Sequence, residues 1–128
     1  MKVNRILETA LYAEDLNAAE AFYTKVLGLE VYSRVADRHV FLRCGSSMVL
    51  LFNPLTTEKE PDPHGCHGPG HAAWAVPAGD LDAWRNWLIA NDVTIEQEID
   101  WPYGHSIYFR DPAGNSLELA PAAIWRME

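Results

Sequence analysis

Hydrophobic and polar residues change their spacing along this chain in an order that occurs twice. Leu7, Thr9, Leu11 and Ala13 alternate with Glu8, Ala10 and Tyr12, the two-residue period of a strand with one buried face. Asp15-Leu16-Asn17 then offers N-cap chemistry, and Asn17 with Glu20 has the spacing of a capping box. Phe22, Tyr23, Val26 and Leu27 give the predicted helix its apolar stripe, and Gly28 is its expected stop. Three strand-like runs follow, at 30–36, 39–43 and 48–53, with turn residues between them.

The segment 54–70 interrupts the pattern. It holds Pro54, Pro61, Pro63 and Pro69 with Gly65, Gly68 and Gly70, and reads as a linker or long loop with no helical or strand period. A structureless stretch of that length is unusual in a compact domain, so it is either functional or a connection between two units. The earlier order then returns. Residues 70–76 read as a strand, and Asp80-Leu81-Asp82-Ala83 opens a helix running to about Ala90. Strand candidates follow at 93–99, 105–110 and Ser116–Ala120. Phe22 and Trp87 each stand seven residues after the Asp that opens their helix. Asp111-Pro112-Ala113-Gly114-Asn115 is a strong hairpin-turn signal between the last two strands. The chain therefore reads as α+β, a strand-helix-three-strand unit duplicated within one domain, 1–128. Module one covers 1–53, the linker 54–70, module two 71–120 and a tail 121–128. Each half has one sheet face to cover, so the halves must pack together or pair across a dimer.

Composition narrows the class. Apolar residues at 48% and charged residues at 22% are ordinary globular values. Ten Lys plus Arg against 18 Asp plus Glu leave a formal charge of −8 with no basic cluster, which argues against nucleic-acid binding. The longest apolar stretches, such as Met48 to Phe52, are too short to span a bilayer, and Glu8, Glu14 and Asp15 fall where a signal peptide needs an apolar core. Cys44 and Cys66 are too few for a disulfide framework. A cytoplasmic protein with a small-molecule partner is expected.

Two stretches carry a resemblance. Leu16 to Leu29, with Phe22-Tyr23 and Val26-Leu27-Gly28-Leu29, and Tyr108 to Leu119, with Asp111-Pro112-Ala113-Gly114-Asn115 and Glu118, resemble the vicinal oxygen chelate superfamily. That superfamily holds glyoxalase I, extradiol dioxygenases, fosfomycin-resistance transferases and bleomycin-binding proteins. The resemblance covers nearly the whole chain. It implies tandem βαβββ modules forming a cupped, mostly antiparallel sheet with helices on the outer face, a divalent metal inside, and a homodimer.

The resemblance also implies a ligand set. Its first ligand, seven residues before the Asp of the Asp-Leu pair, is Glu8; the ligand opening the second module is His71; the last, the acid after the Asp-Pro turn, is Glu118. Carboxylate oxygen and neutral imidazole suit Zn, Mn, Fe or Ni, and three protein ligands leave positions open for substrate. Each has a structural alternative: Glu8 as a solvent-facing strand residue, His71 as a hydrogen-bonded core histidine. Glu118 lies among Leu117, Leu119 and Ala120, where an unpaired carboxylate would be expensive.

Departures from the family pattern bear on the activity. Four-ligand members carry another acid on the last strand of module one, here Met48 to Phe52 and apolar throughout, which counts against glyoxalase I itself. Extradiol dioxygenases use two His and one Glu, so Glu8 in place of a His weakens the Lewis acid and ranks that reading third. Ser106 and Tyr108 match substrate-lining positions of the fosfomycin group, but Ala10 stands where a threonine is expected and no lysine lies near Glu98. Tyr108 would lie opposite Glu118 if the hairpin turn carries one extra residue.

Other features have rival readings. His64, Cys66, His67 and His71 could hold a structural zinc, although their spacing matches no zinc knuckle and the Pro/Gly content suits a loop better. A loop histidine or His105 could reach substrate. Arg43 and Arg110 could clamp a carboxylate or phosphonate, Trp101-Pro102-Tyr103-Gly104 could edge a cavity, and Trp84, Trp87 and Leu88 suit a core or dimer interface. The expectation is a metal-dependent glyoxalase-like enzyme of lyase or isomerase type. Glu8, His71 and Glu118 are its metal ligands, Glu8, Glu118 and Tyr108 its catalytic groups, and Ser106, Tyr108 and Arg110 its substrate contacts. The alternative is a non-catalytic binding protein of the bleomycin-resistance type.

Overall fold

In the computed structural model, which describes residues 1–127, the chain divides between Gly70 and His71 into two units. The first runs β1 (Glu8–Tyr12), α1 (Leu16–Lys25), β2 (Glu30–Val35), β3 (His39–Cys44), β4 (Ser47–Phe52) and a short α2 (Pro54–Thr57). The second runs β5 (His71–Ala75), a 3-10 turn (Ala78–Asp80), α3 (Leu81–Ala90), β6 (Gln97–Trp101), β7 (Gly104–Arg110), β8 (Ser116–Ala120) and a closing 3-10 turn (Ala122–Trp125). Each unit folds one four-stranded sheet, in the orders β1-β4-β3-β2 and β5-β8-β7-β6. In each, the first strand pairs in parallel with the last and the remaining pairs are antiparallel. The α+β class and the repeated βαβββ order stand as the sequence predicts.

Strand alternation gives each sheet one apolar face beneath its helix. In the first unit Leu11, Val40, Leu42, Val49 and Leu51 are buried, with Ala19 and Tyr23 of α1. Glu20 of α1 reaches Arg34 of β2 at 2.9 Å on that side of the sheet. In the second unit Ile107, Phe109, Leu117 and Leu119 are buried, as are Leu81 and Leu88 of α3. Arg85 reaches from α3 to Glu98 of β6 at 2.7 Å, which sets the helix over this face. The opposite face of each sheet is free to carry other chemistry.

Three local expectations are corrected. The N-cap of α1 is Asp15, whose carboxylate accepts from the Ala18 amide at 3.0 Å; Asn17 lies inside the helix, so it forms no capping box with Glu20. Gly28, at φ +69°, ends that segment as expected. The segment 54–70 is not structureless. Asn53 caps α2 with Pro54 in its first turn, and Thr57 is fully buried. The segment is tied to the first sheet by Arg38–Glu60 at 2.9 Å, Tyr12–His64 at 2.7 Å and a Thr56 hydroxyl bond to the Asp37 carbonyl at 2.7 Å. β6 starts at Gln97 rather than at 93. Among the described residues no helix is long and apolar enough to cross a membrane.

The β7–β8 hairpin turns on one side chain. The Asp111 carboxylate accepts from the amides of Ala113 at 3.0 Å and Asn115 at 2.9 Å and from the Asn115 side-chain amide at 2.8 Å. Gly114 supplies the left-handed residue, φ +89°, that closes the turn. Five residues lie between the paired Arg110 and Ser116, and this odd loop sets Tyr108 opposite Glu118. Asp111→Ala leaves buried donors without a partner and is expected to lower unfolding free energy by about 3 kcal/mol, read from urea denaturation.

A charged cluster lies on β6 and β7. His105 contacts Glu98 through Nε2 and Asp100 through Nδ1, each at 2.7 Å, so both ring nitrogens face carboxylate acceptors. These two hydrogen bonds raise the His105 pKa above its ordinary value of 6.5. Arg85 first, and His105 second, hold the Glu98 pKa down to about 2. A raised histidine pKa stabilises the fold fully below pH 6.5 and loses that contribution as pH rises through the folded value. The urea midpoint should therefore fall as pH is raised above 6.5, and His105→Gln should flatten that slope.

Candidate functional site

The open face of the second sheet takes every other residue of its strands. His71 and Ala73 of β5 stand beside Ser116 and Glu118 of β8; Tyr108 of β7 pairs with Glu118, and Ile99 and Trp101 of β6 with Ser106 and Gly104. His71, Ser106, Tyr108 and Glu118, four of the predicted site residues, thus share one surface. Arg110 lies on the same face at its far end. Its guanidinium is held by Glu96 at 2.7 Å and by the Gly114 carbonyl at 3.0 Å.

Glu118 is the buried acid of this face, its side chain 8% exposed. Its Oε1 accepts from the Ser106 hydroxyl at 2.5 Å. The Trp101 indole N–H donates to the same Ser106 oxygen at 2.8 Å. Indole N–H can only donate, so Ser106 accepts there and its single proton is aimed at Glu118. Tyr108 stands opposite Glu118 across the two strands, and its pKa is raised, first by burial and then by that carboxylate.

His71 completes the arrangement. Its Nδ1 lies 3.0 Å from the Ser116 carbonyl oxygen, which can only accept, so Nδ1 carries the proton of the neutral ring. Nε2 lies 3.5 Å from Glu118 Oε2, and in that neutral tautomer it presents a lone pair there. A positive charge stabilises such a pair, either as a second proton on the half-exposed ring or as a metal ion shared by the two atoms. The His71 ring lies nearly parallel to Tyr108, centroids 6.4 Å apart, which fixes its plane further.

Glu8 opens β1 on the exposed face of the first sheet, one of the residues lining a cavity of about 520 Å³ there. Its place in β1 matches that of His71 in β5, because Glu8 pairs with Met48 as His71 pairs with Ser116. By the same register Leu50 takes the place of Glu118. The acid whose absence the sequence shows on β4 is therefore this leucine.

The loop histidines do not gather. His64 bonds Tyr12, His67 bonds Glu58 at 2.6 Å, and His71 begins the second unit. Among the described residues neither unit assembles three or more His, Cys, Asp or Glu side chains suited to a metal ion, so the structural zinc suggested for 64–71 is not formed.

Trp101, expected only as a cavity edge, has a more specific place beside Ser106. The two-residue turn Pro102-Tyr103 pairs Trp101 with Gly104, and alternation then puts Trp101 on the Ser106 face. Spacing reveals that much, but not the indole–hydroxyl bond. Ring-nitrogen shifts in ¹⁵N NMR at pH 8.5 should report His71 as the Nδ1–H tautomer. An Nε2–H signal would contradict the placement of its lone pair.

A family model described as Glyoxalase/Bleomycin resistance protein/Dioxygenase superfamily matches residues 5–119. The crystal structure of a lactoylglutathione lyase from Agrobacterium tumefaciens is 38% identical, with a TM-score of 0.96, and the likeness covers 99% of this chain and 100% of that one. The metallothiol transferase FosB of Staphylococcus epidermidis is 29% identical over 124 residues, 93% of this chain and 82% of that protein. Integron cassette protein VCH_CASS1, from the mobile metagenome of V. cholerae, is 26% identical with a TM-score of 0.78, covering 95% of this chain and 98% of that one.

Proposed function

Because this chain belongs to the Glyoxalase/Bleomycin resistance protein/Dioxygenase superfamily, we propose that it is a metal-dependent, glyoxalase-like enzyme acting on a small oxygenated substrate. The observation that carries the proposal is the His71–Glu118 pair, two groups of metal-ligating type whose Nε2 and Oε2 lie 3.5 Å apart. Adjacent ligands of one tetrahedral zinc, each at about 2.1 Å, lie roughly 3.4 Å apart, so the spacing suits a shared ion. The His71 Nδ1–H bond to a backbone carbonyl is the outer support that a ligating histidine needs. Zn, Mn, Fe or Ni would fit this donor set, with Glu8 as the third ligand. A divalent ion bound there supplies Lewis acidity to a substrate oxygen.

The chain's own groups divide the remaining work. Ser106, itself held by the Trp101 indole, fixes Glu118 in place, which makes it an anchor. Glu8 is exposed on an open face, and we assign to its carboxylate the proton that an isomerase or lyase of this type moves between adjacent carbons. Tyr108 orients the substrate oxygen through its hydroxyl. Arg110, bound to Glu96, contributes at the far rim only if that pair opens. A cytoplasmic homodimer is the expected state.

The relatives' names speak of lactoylglutathione and of thiol transfer, so lactoylglutathione is the first compound to assay. Protein purified without added ions should carry stoichiometric divalent metal, lost in His71→Ala and in Glu118→Ala. Glu8→Gln should lower kcat by about 10²–10⁴. A wild-type protein that stays metal-free, and whose ligand affinity is unchanged by Glu8→Ala, would instead support a binding role of the bleomycin-resistance type.

A further inference from the structure

The geometry of the first sheet points to a pocket for an organic acid with an apolar body, and we propose Arg43 as the residue that binds its carboxylate. This deepens the proposed function by naming a substrate class, and it rests on that reading only for the role of Glu8. The cavity is about 520 Å³, within the usual range for small-molecule sites. Met48, Leu50, Phe41 and Phe52 line it as an apolar floor, while Glu8 and the Tyr32–Arg43 pair carry its polar and charged groups.

Arg43 is set apart by what it lacks. The chain has seven arginines. Arg34, Arg38, Arg85 and Arg110 are paired with acids, Arg5 donates to the Ser46 carbonyl, and Arg126 donates to the Tyr103 hydroxyl. Among the described residues Arg43 has no oxygen partner, although acids outnumber bases 18 to 10. Its guanidinium lies over the Tyr32 ring, 4.5 Å from the centroid. Tyr32 sits at an irregularity in the β2–β3 pairing, between Val31 and Ser33, the kind of bulge that re-aims a side chain. Stacking supports the flat face of a guanidinium and leaves its N–H fork open for a carboxylate.

Register gives the pocket a direction. Glu8, Met48 and Arg43 occupy one rung across β1, β4 and β3. Two strand spacings separate the Glu8 and Arg43 backbones by about 10 Å. A ligand with its carboxylate at Arg43 lays its apolar middle over Met48 and Leu50 and presents an oxygenated head toward Glu8. Arg43 thus selects for an acid, and Glu8 faces the end where chemistry occurs.

The probes are 3-phenylpropionate and its neutral amide, titrated into the full chain by NMR with the Met48 methyl and Arg43 Nε–H as reporters. Both metal-stripped and zinc-loaded protein are used. The acid should bind with shifts at both reporters, and the amide about tenfold more weakly. Arg43→Gln should weaken the acid about tenfold and leave the amide unchanged, with Arg34→Gln, on the helix side of the same sheet, as a control that changes neither. Equal affinity for acid and amide, acid affinity unaffected by Arg43→Gln, or no saturable acid binding would overturn the proposal. Arg43-dependent binding in stripped protein upholds it even if zinc never binds. Zinc uptake without acid binding sinks the pocket and leaves the metal assignment standing.

Discussion

The arrangement of the candidate site depends on the carboxylate of Asp111. By accepting two backbone amides and one side-chain amide, it holds a five-residue turn between β7 and β8. Strand side chains alternate faces, so a slip of one residue would send Tyr108 and Ser106 to the helix side and bring Ile107 and Phe109 to the open side. Leu117 and Leu119 beneath the helix resist that slip, because it would expose an apolar face that is now fully buried. A turn remote from any reacting atom therefore decides which residues surround Glu118. The Asp-Pro-x-Gly-Asn motif is a folding element first, and a marker of function by consequence.

Once the register is set, the polar chain from Trp101 through Ser106 to Glu118 follows from donor and acceptor counts. Each link leaves one choice for the next: the indole donates, so the hydroxyl must donate onward, so Oε1 is occupied and Oε2 is left toward His71. Ser116 closes the sequence from the other side by accepting the Nδ1 proton. The result is a buried carboxylate hydrogen-bonded on one oxygen, with the other turned toward the imidazole Nε2. A protein interior satisfies its polar groups wherever it can. A positive charge at that second oxygen, from a protonated ring or a shared metal ion, completes its partners.

Much of this was legible in the chain. Period-two alternation around Glu8, His71 and Glu118, the Asp-Pro turn and the family resemblance were enough to place the strands, the duplication and four of the residues on the second open face. What was not legible depends on long-range contacts. Asn17 looks as good a cap as Asp15 until the helix start is known. The 54–70 segment looked unstructured because Pro and Gly dominate it, whereas its order comes from Arg38, Tyr12 and Asp37 elsewhere in the first unit. Trp101 could be read only as a cavity edge and Arg43 only as one of two candidate clamps for the same reason, since sequence shows which residues are present and not which partners they have.

The two sheets share a topology and diverge in content, and the divergence is where function separates. At matching register positions Glu118 corresponds to Leu50, Tyr108 to Phe41, Ser116 to Met48 and Ser106 to His39. At these positions the first sheet has neither the hydroxyls nor the buried acid, and presents an apolar floor with Glu8 at one edge. Arg43 and Arg110 also correspond, and here the surroundings decide. Arg110 is neutralised by Glu96. Arg43 has Glu30 as its register partner across β2, yet forms no ion pair with it and stacks on Tyr32 instead. One copy of the module thus carries polar residues on its open face, while the other carries apolar surface and an uncommitted cation. A shared backbone with different side chains gives two surfaces of different chemistry.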